Sequence, residues 1–164
     1  MSDDEFLQSL IGKPTAAATV VIERGPVSFF AQAVFDDDPA YRDSEAATDA
    51  GFDAIPVPPT FPFVMRHWGA FDELQPPDEG EGLQGVIDQL KARGGLILHG
   101  EQSFHHHRPV TVGDVLEGRG SIVDAYAKES GGRTMTFIVD ETVWRDQATG
   151  EPVVSTRFNV IHRI

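Results

Sequence analysis

"RTMTFIVDETVW", residues 133–144, sets Met135, Phe137, Val139 and Val143 in alternation with polar Thr136, Asp140 and Thr142. Successive strand residues point to opposite faces, so a period of two reads as a half-buried antiparallel strand with its apolar row inward. Working outward, "LILHGEQSFHHHRP" (96–109), "VLEGRGSIV" (115–123) and "PVVSTRFNVIHRI" (152–164) are three more strand candidates. Turn signals at "VTVGD", "KESGG" and "DQATGE" separate them. The second half is thus a β meander.

The first half has a different period. "DDEFLQSL" carries acids in its first turn and apolar Phe6, Leu7 and Leu10, which predicts a short helix stopped by Gly12 and Pro14. "AATVVIE" reads as one strand. Val27, Phe30, Ala31 and Val34 recur at i, i+3, i+4 and i+7, which predicts a helix with one apolar face. Pro39 pushes its predecessor out of the α region, so residues 36–43 form a loop at that helix's C-terminus. "SEAATDAGF" predicts another helical turn, stopped by Gly51. A helix starting near Thr60 follows, with Pro62 in its first turn and Phe61, Phe63, Val64, Met65 and Trp68 expected in the interior. Residues 72–82, "DELQPPDEGEG", read as an exposed loop, and "LQGVIDQLKA" as a short helix. The class is α+β, an antiparallel sheet around a buried helix, and the expected organisation is one domain over 1–164.

The chain of 164 residues carries a net charge of −13. Residues 1–90 hold 17 acidic and 4 basic side chains, so the excess sits in the first half, while residues 91–164 hold 9 of each. That half repels polyanions, and no basic stripe with interleaved aromatics offers a groove, so nucleic acid is not an expected partner. The chain has no cysteine, which excludes disulfides, thiolate metal sites and a thiol nucleophile. "MSDDEFLQSLIGKP" lacks the basic flank and apolar run of a signal peptide, and no stretch reaches the roughly 20 apolar residues of a membrane span. The expectation is a cytoplasmic protein without membrane contact.

Two clusters invite chemistry. "DDD" at 36–38 lacks the alternating pattern of a calcium loop, and Pro39 interrupts the turn. "HHH" at 105–107 places only His105 and His107 on one side of a strand; His99 joins them only if the strand is regular. Structural histidines are the preferred reading, and neither a metal nor a cofactor is expected. No G-x-S-x-G elbow or phosphate-binding Gly loop is present.

"FFAQAVFDDDPAYRDSEAATDAGF", then "AIPVPPTF", then "LILHGEQSFHHHRPVTVGDVLEG" resemble, in order and spacing, the MaoC-like hydratase/dehydratase family, in particular its N-terminal-type (FAS1-like) dehydratase branch. The resemblance implies a hot-dog fold, a long central helix wrapped by an antiparallel sheet, paired with a second hot dog as a homo-oligomer (dimer) or heterodimer. It implies addition or removal of water on 2-enoyl or 3-hydroxyacyl thioesters of coenzyme A or acyl carrier protein, as in an (R)-specific hydratase or dehydratase. The family's loop reads roughly Gly-Asp-x-Asn-Pro-x-His. Matched through Pro39, Asp36 takes the catalytic Asp position, Asp38 replaces the Asn, Phe35 the Gly, and Tyr41 the His.

An unperturbed phenol titrates near 10 and an imidazole near 6.5, so Tyr41 can donate a proton but is a poor acceptor at neutral pH. Asp36 would be the base alone. The family's Gly at the start of the central helix falls near Pro59, which has no N–H, so Thr60 or Phe61 would polarise the thioester carbonyl. Arg108 would pair with an acid of the loop or meet a ligand phosphate. Asp36 and Tyr41 are thus the implied catalytic pair, and Asp38, Thr60, Phe61 and Arg108 the implied substrate-binding residues. Because one hot dog of such pairs can lose the Asp/His dyad, the other reading is a non-catalytic subunit, or a thioester-binding protein, that supports an Asp/His-bearing partner.

Overall fold

The structure is a computed structural model that describes residues 3–77 and 82–164. Helix α1 (Asp3–Leu10) leads into strand β1 (Pro14–Val21), followed by α2 (Arg24–Ala33), a 3-10 turn at Pro39–Tyr41 and α3 (Ser44–Asp49). A 3-10 turn at Phe61–Phe63, α4 (Met65–Gly69), a 3-10 turn at Asp72–Leu74 and α5 (Gly82–Lys91) lead to strands β2 (Leu96–His106), β3 (Val115–Ser130), β4 (Arg133–Asp146) and β5 (Pro152–Arg163). The loop expected over 72–82 falls partly, at 78–81, outside the described residues, as do residues 1 and 2.

The strands form one sheet in the order β1-β3-β4-β5-β2, with every neighbouring pair antiparallel. β3, β4 and β5 pair in sequence order as the expected meander requires, whereas β2, expected to begin that meander, crosses to the far edge beside β5. The α+β reading therefore holds.

Two expectations are corrected. The long helix from Thr60 is a 3-10 turn followed by five residues of α-helix. Pro62 interrupts the first turn, and α4 presses so closely on β1 that a Cβ on Gly69 would lie 2.3 Å from the Val21 carbonyl oxygen. Of its aromatic residues Phe61 is buried, but Phe63 is 53% exposed and Trp68 38%. The second correction concerns the faces of β4. Ile138, Asp140, Thr142 and Trp144 are the buried row, whereas Met135, Phe137, Val139 and Val143 lie on the other face, where Val139 is buried and the other three are half-buried. Tyr126 stacks on Phe137 there, so cross-strand aromatic packing occupies the apolar residues that the alternation had placed in the core.

Two apolar clusters fill the concave side of the sheet. One joins Val20, Ile22, Val27, Phe61, Met65 and Leu116 with Trp144 and Val154; the other joins α1 and α5 through Leu7, Leu10, Val86 and Leu90 to Ile138 and Val160. Gly118 makes room for the Trp144 indole, since a Cβ there would stand 2.7 Å from the ring. Between the clusters, the middle rungs of the sheet are polar.

Candidate active-site loop and interior chamber

Helix α2 ends in a Schellman closure: the Asp36 N–H donates to Ala31 O (2.9 Å) and the Phe35 N–H to Gln32 O (3.1 Å). That closure requires a left-handed residue, and Phe35 supplies it at φ 58° although Gly is the usual occupant. The same closure ends α3 with Gly51.

The aspartates that follow organise the chain locally. Asp36 Oδ1 accepts from the Asp38 N–H (3.2 Å), and Asp38 Oδ1 accepts from the Ala40 N–H (2.9 Å) at the start of the next turn. Asp43 caps α3 through the Ala46 N–H. Arg42 ties the run together by donating to Asp36 O (2.8 Å) and Asp37 Oδ1 (3.3 Å). Tyr41 is half-buried, and its phenol is pushed above its ordinary value by burial, then by the Asp36 and Asp38 charges. The fold thus brings Asp36, Asp38 and Tyr41 together.

The other candidates find their polar partners outside that loop. The Phe61 N–H donates to Pro58 O (2.9 Å), so it is occupied, and the side chain is core, stacked on Trp68 and edge-on to Phe30. Thr60 caps the same turn without a side-chain bond. His106, outside the expected set, anchors this stretch by bonding Pro59 O through Nε2 (3.0 Å). Arg108 is clamped by carboxylates, to Asp114 through Nη1 (2.8 Å) and Nη2 (3.1 Å) and to Asp146 (3.0 Å). Of its two expected roles the structure displays the ion pair, with acids of the β2–β3 connection and of β4 rather than of the Asp loop.

A break in β2 between His99 and Gln102 shifts the strand's phase, so His99 meets Phe63 and Phe158 on the concave side. His105 packs against His107, which meets Ser155 instead. The three imidazoles therefore do not converge, and no cluster of metal-ligating side chains occurs among the described residues.

A cavity of about 200 Å³ lies between the sheet and α4–α5, lined by Thr15, Phe63, Arg66, Gln102, Asp140 and Thr142 among others. Asp140 is 9% exposed; burial raises its pKa, opposed by hydrogen bonds from Thr15 and Thr142 and by the Arg66 charge. Sequence reading missed this group because the alternation of β4 had assigned Asp140 and Thr142 to solvent; the unusual placement of an acid between Val139 and Glu141 in an apolar strand was its one signal.

An antiparallel sheet closing over a short helix, with an acidic turn at the end of α2, defines a hot-dog protein. Solved structures share it: the HadBC (3R-hydroxyacyl-ACP dehydratase) complex of Mycobacterium tuberculosis superposes with a TM-score of 0.68 at 23% identity, covering 93% of this chain and 96% of that one. The ChsH1-ChsH2 complex of the same organism gives 0.74 at 19% identity, with 97% and 94% covered. The (R)-hydratase from A. caviae gives 0.58 at 18%, with 92% and 94% covered. Residues 9–156 match the FAS1-like dehydratase domain region, and the chain belongs to that family. Its relatives include UPF0336 proteins of Saccharopolyspora erythraea, 33% identical over 95% of this chain and 90% of theirs, and of Thermobifida fusca, 30% identical over 82% and 78%.

Proposed function

We propose that the chain is one hot dog of a two-hot-dog hydratase/dehydratase acting on 2-enoyl and 3-hydroxyacyl thioesters of coenzyme A or acyl carrier protein, and that its partner supplies the Asp/His dyad. The observation that carries this is Tyr41. At the position of the family's histidine stands a phenol whose pKa is raised further by burial and by Asp36 and Asp38. In dehydration a base removes the C2 proton while an acid protonates the departing C3 hydroxyl, leaving the C2–C3 double bond and water; hydration runs the same steps backwards. A phenol held protonated donates a hydrogen bond and does not take the C2 proton.

The sheet order supports pairing, because β2 is an edge strand carrying exposed Leu96 and Leu98. Neighbouring structures named as two-chain complexes support it as well. A second reading, catalysis by this chain alone with Asp36 as base and Tyr41 as proton donor, is favoured by the hydrogen bonds that tie Asp36 to Asp38 and Asp38 to the 3-10 turn carrying Tyr41.

The experiment compares hydration of a crotonyl-type thioester by the purified chain and by its mixture with an Asp/His-bearing hot-dog chain from the same source. Activity is expected in the mixture only. There, Asp36→Asn and Tyr41→Phe are expected to leave the rate within a few-fold, far from the roughly 10²–10⁴ lost with a general acid or base. Full activity of the purified chain, abolished by Asp36→Asn, would establish the second reading instead.

A further inference from the structure

Four cross-strand rungs describe the concave face of the sheet. Trp144 pairs with Val154 in one apolar cluster and Ile138 with Val160 in the other; between them Thr142 pairs with Thr156, and Asp140 with Phe158, which in turn pairs with Gln102. A folding core would place apolar residues on these middle rungs, since burying polar groups costs free energy unless they are hydrogen-bonded. Here α4 is only five residues long; Asp140 and Thr142 are buried while Gln102, Thr156 and Phe158 stay half-buried, and the chamber of about 200 Å³ opens beside the exposed Phe63 and Arg66. Thr15 donates to Asp140 Oδ1. Gln102 Oε1 is buried and accepts no hydrogen bond among the described residues.

We propose that this chamber binds a hydroxyl group carried on the apolar tail of the ligand, remote from the carbons that react. It rests on the acyl-thioester reading for the remainder of the ligand. Phe63, Leu83, Trp144 and Phe158 give the tail apolar walls, and the hydroxyl donates to Gln102 Oε1; Thr15 and Thr142 already donate to Asp140 and Thr156 to the Thr142 carbonyl, so these hydroxyls offer lone pairs and no proton. A plain hydrocarbon tail would strand the glutamine acceptor. A carboxylate would face Asp140, and a cation would pass Arg66 at the mouth, so a neutral hydrogen-bond donor fits best. A dry cavity of about 150 Å³ holds a benzene, so this one has room for a phenol-sized group.

Two matched pairs of probes test this on the full chain: phenol against benzene, and 6-hydroxyhexanoyl against hexanoyl pantetheine, followed by the side-chain amide signals of Gln102 and by calorimetry. The hydroxylated member of each pair is expected to bind up to about tenfold tighter, as one net hydrogen bond allows, and to shift the Gln102 amide. Gln102→Met, close in volume, is expected to erase the preference, with the melting transition of the variant confirming that it folds. Equal binding of the two thioesters would overturn the hydroxyl site and leave the acyl reading standing. Phenol preference with neither thioester bound would keep the site and sink the acyl reading. Absence of any phenol binding, with the Gln102 amide unperturbed, would show a water pocket and overturn the proposal.

Discussion

Phe35 has an aromatic side chain 91% exposed on a left-handed backbone, where a Cβ costs about 1–2 kcal/mol. It is the one described non-glycine residue with positive φ, and it sits where the family's loop has Gly. The Schellman closure of α2 demands that conformation whichever residue occupies it, so Phe35→Gly relieves the steric cost and gives up almost no burial. The expected outcome is a gain of about 1 kcal/mol, seen as a rise of roughly 2–4 °C in the thermal midpoint of the isolated chain. An unchanged or lowered midpoint would show that the ring makes contacts that outweigh the strain. The turn at Pro39 was legible in the sequence because Asp and Pro dictate turn geometry locally. That Phe35 keeps a glycine's backbone was not, because a conformation imposed by the helix end leaves no trace in residue type.

The β2–β3 connection and the end of β4 are held together by one cation. Arg108, just beyond β2, bridges Asp114 before β3 and Asp146 at the end of β4, and Asp114 also accepts from the Thr111 N–H. Asp114 is 11% exposed on its side chain, so Arg108→Met leaves a largely buried carboxylate without its ion pair. With Arg108 itself 38% exposed and partly screened, the expected loss is about 1–2 kcal/mol in a denaturant titration. Asp146 is held below its ordinary 3.8, first by the Thr149 N–H, then by the Ala148 N–H, with the Arg108 charge adding to them. A depressed carboxylate favours the fold above its unfolded pKa, so this contribution is present at neutral pH and declines as pH falls below about 4. The gap between wild type and Arg108→Met should therefore narrow on acidification; a gap that widens would count against the ion pair. Sequence offered Arg108 an acid of the 36–43 loop or a ligand phosphate; its actual partners were not legible, because Asp146 lies 38 positions away and reaches it only when β4 returns beside β5 and β2.

At the scale of the molecule, the polar middle of the concave face sets a conflict between folding and binding. Asp140 has a folded pKa raised above 3.8 by burial. Between the unfolded and folded values the native state binds the extra proton, so stability falls as pH rises through that interval and the cost stands in full above it. Asp140→Asn keeps an acceptor for the Thr15 hydroxyl and removes the buried charge. The variant should melt higher than wild type near pH 7, with the difference shrinking toward acid pH in a series of melts. A variant that melts lower at every pH would mean that the carboxylate is repaid in full by its hydrogen bonds.

The strands, the helix at 24–33 and the turn at 36–43 follow from local rules, namely period, proline and capping, and the sequence by itself determined them; the partners of Arg108 were decided by the sheet. The depth of each face did not follow. Alternation in β4 shows that two rows exist, and only the packing of Tyr126 on Phe137 outside and of Trp144 over Gly118 inside decides which row is buried. The break between His99 and Gln102 likewise reverses the side chains beyond it, which separates the three imidazoles and turns Gln102 inward. Burial belongs to the assembled layers, where helix length and strand phase act together, and so the chamber at Asp140 exists only in the tertiary structure.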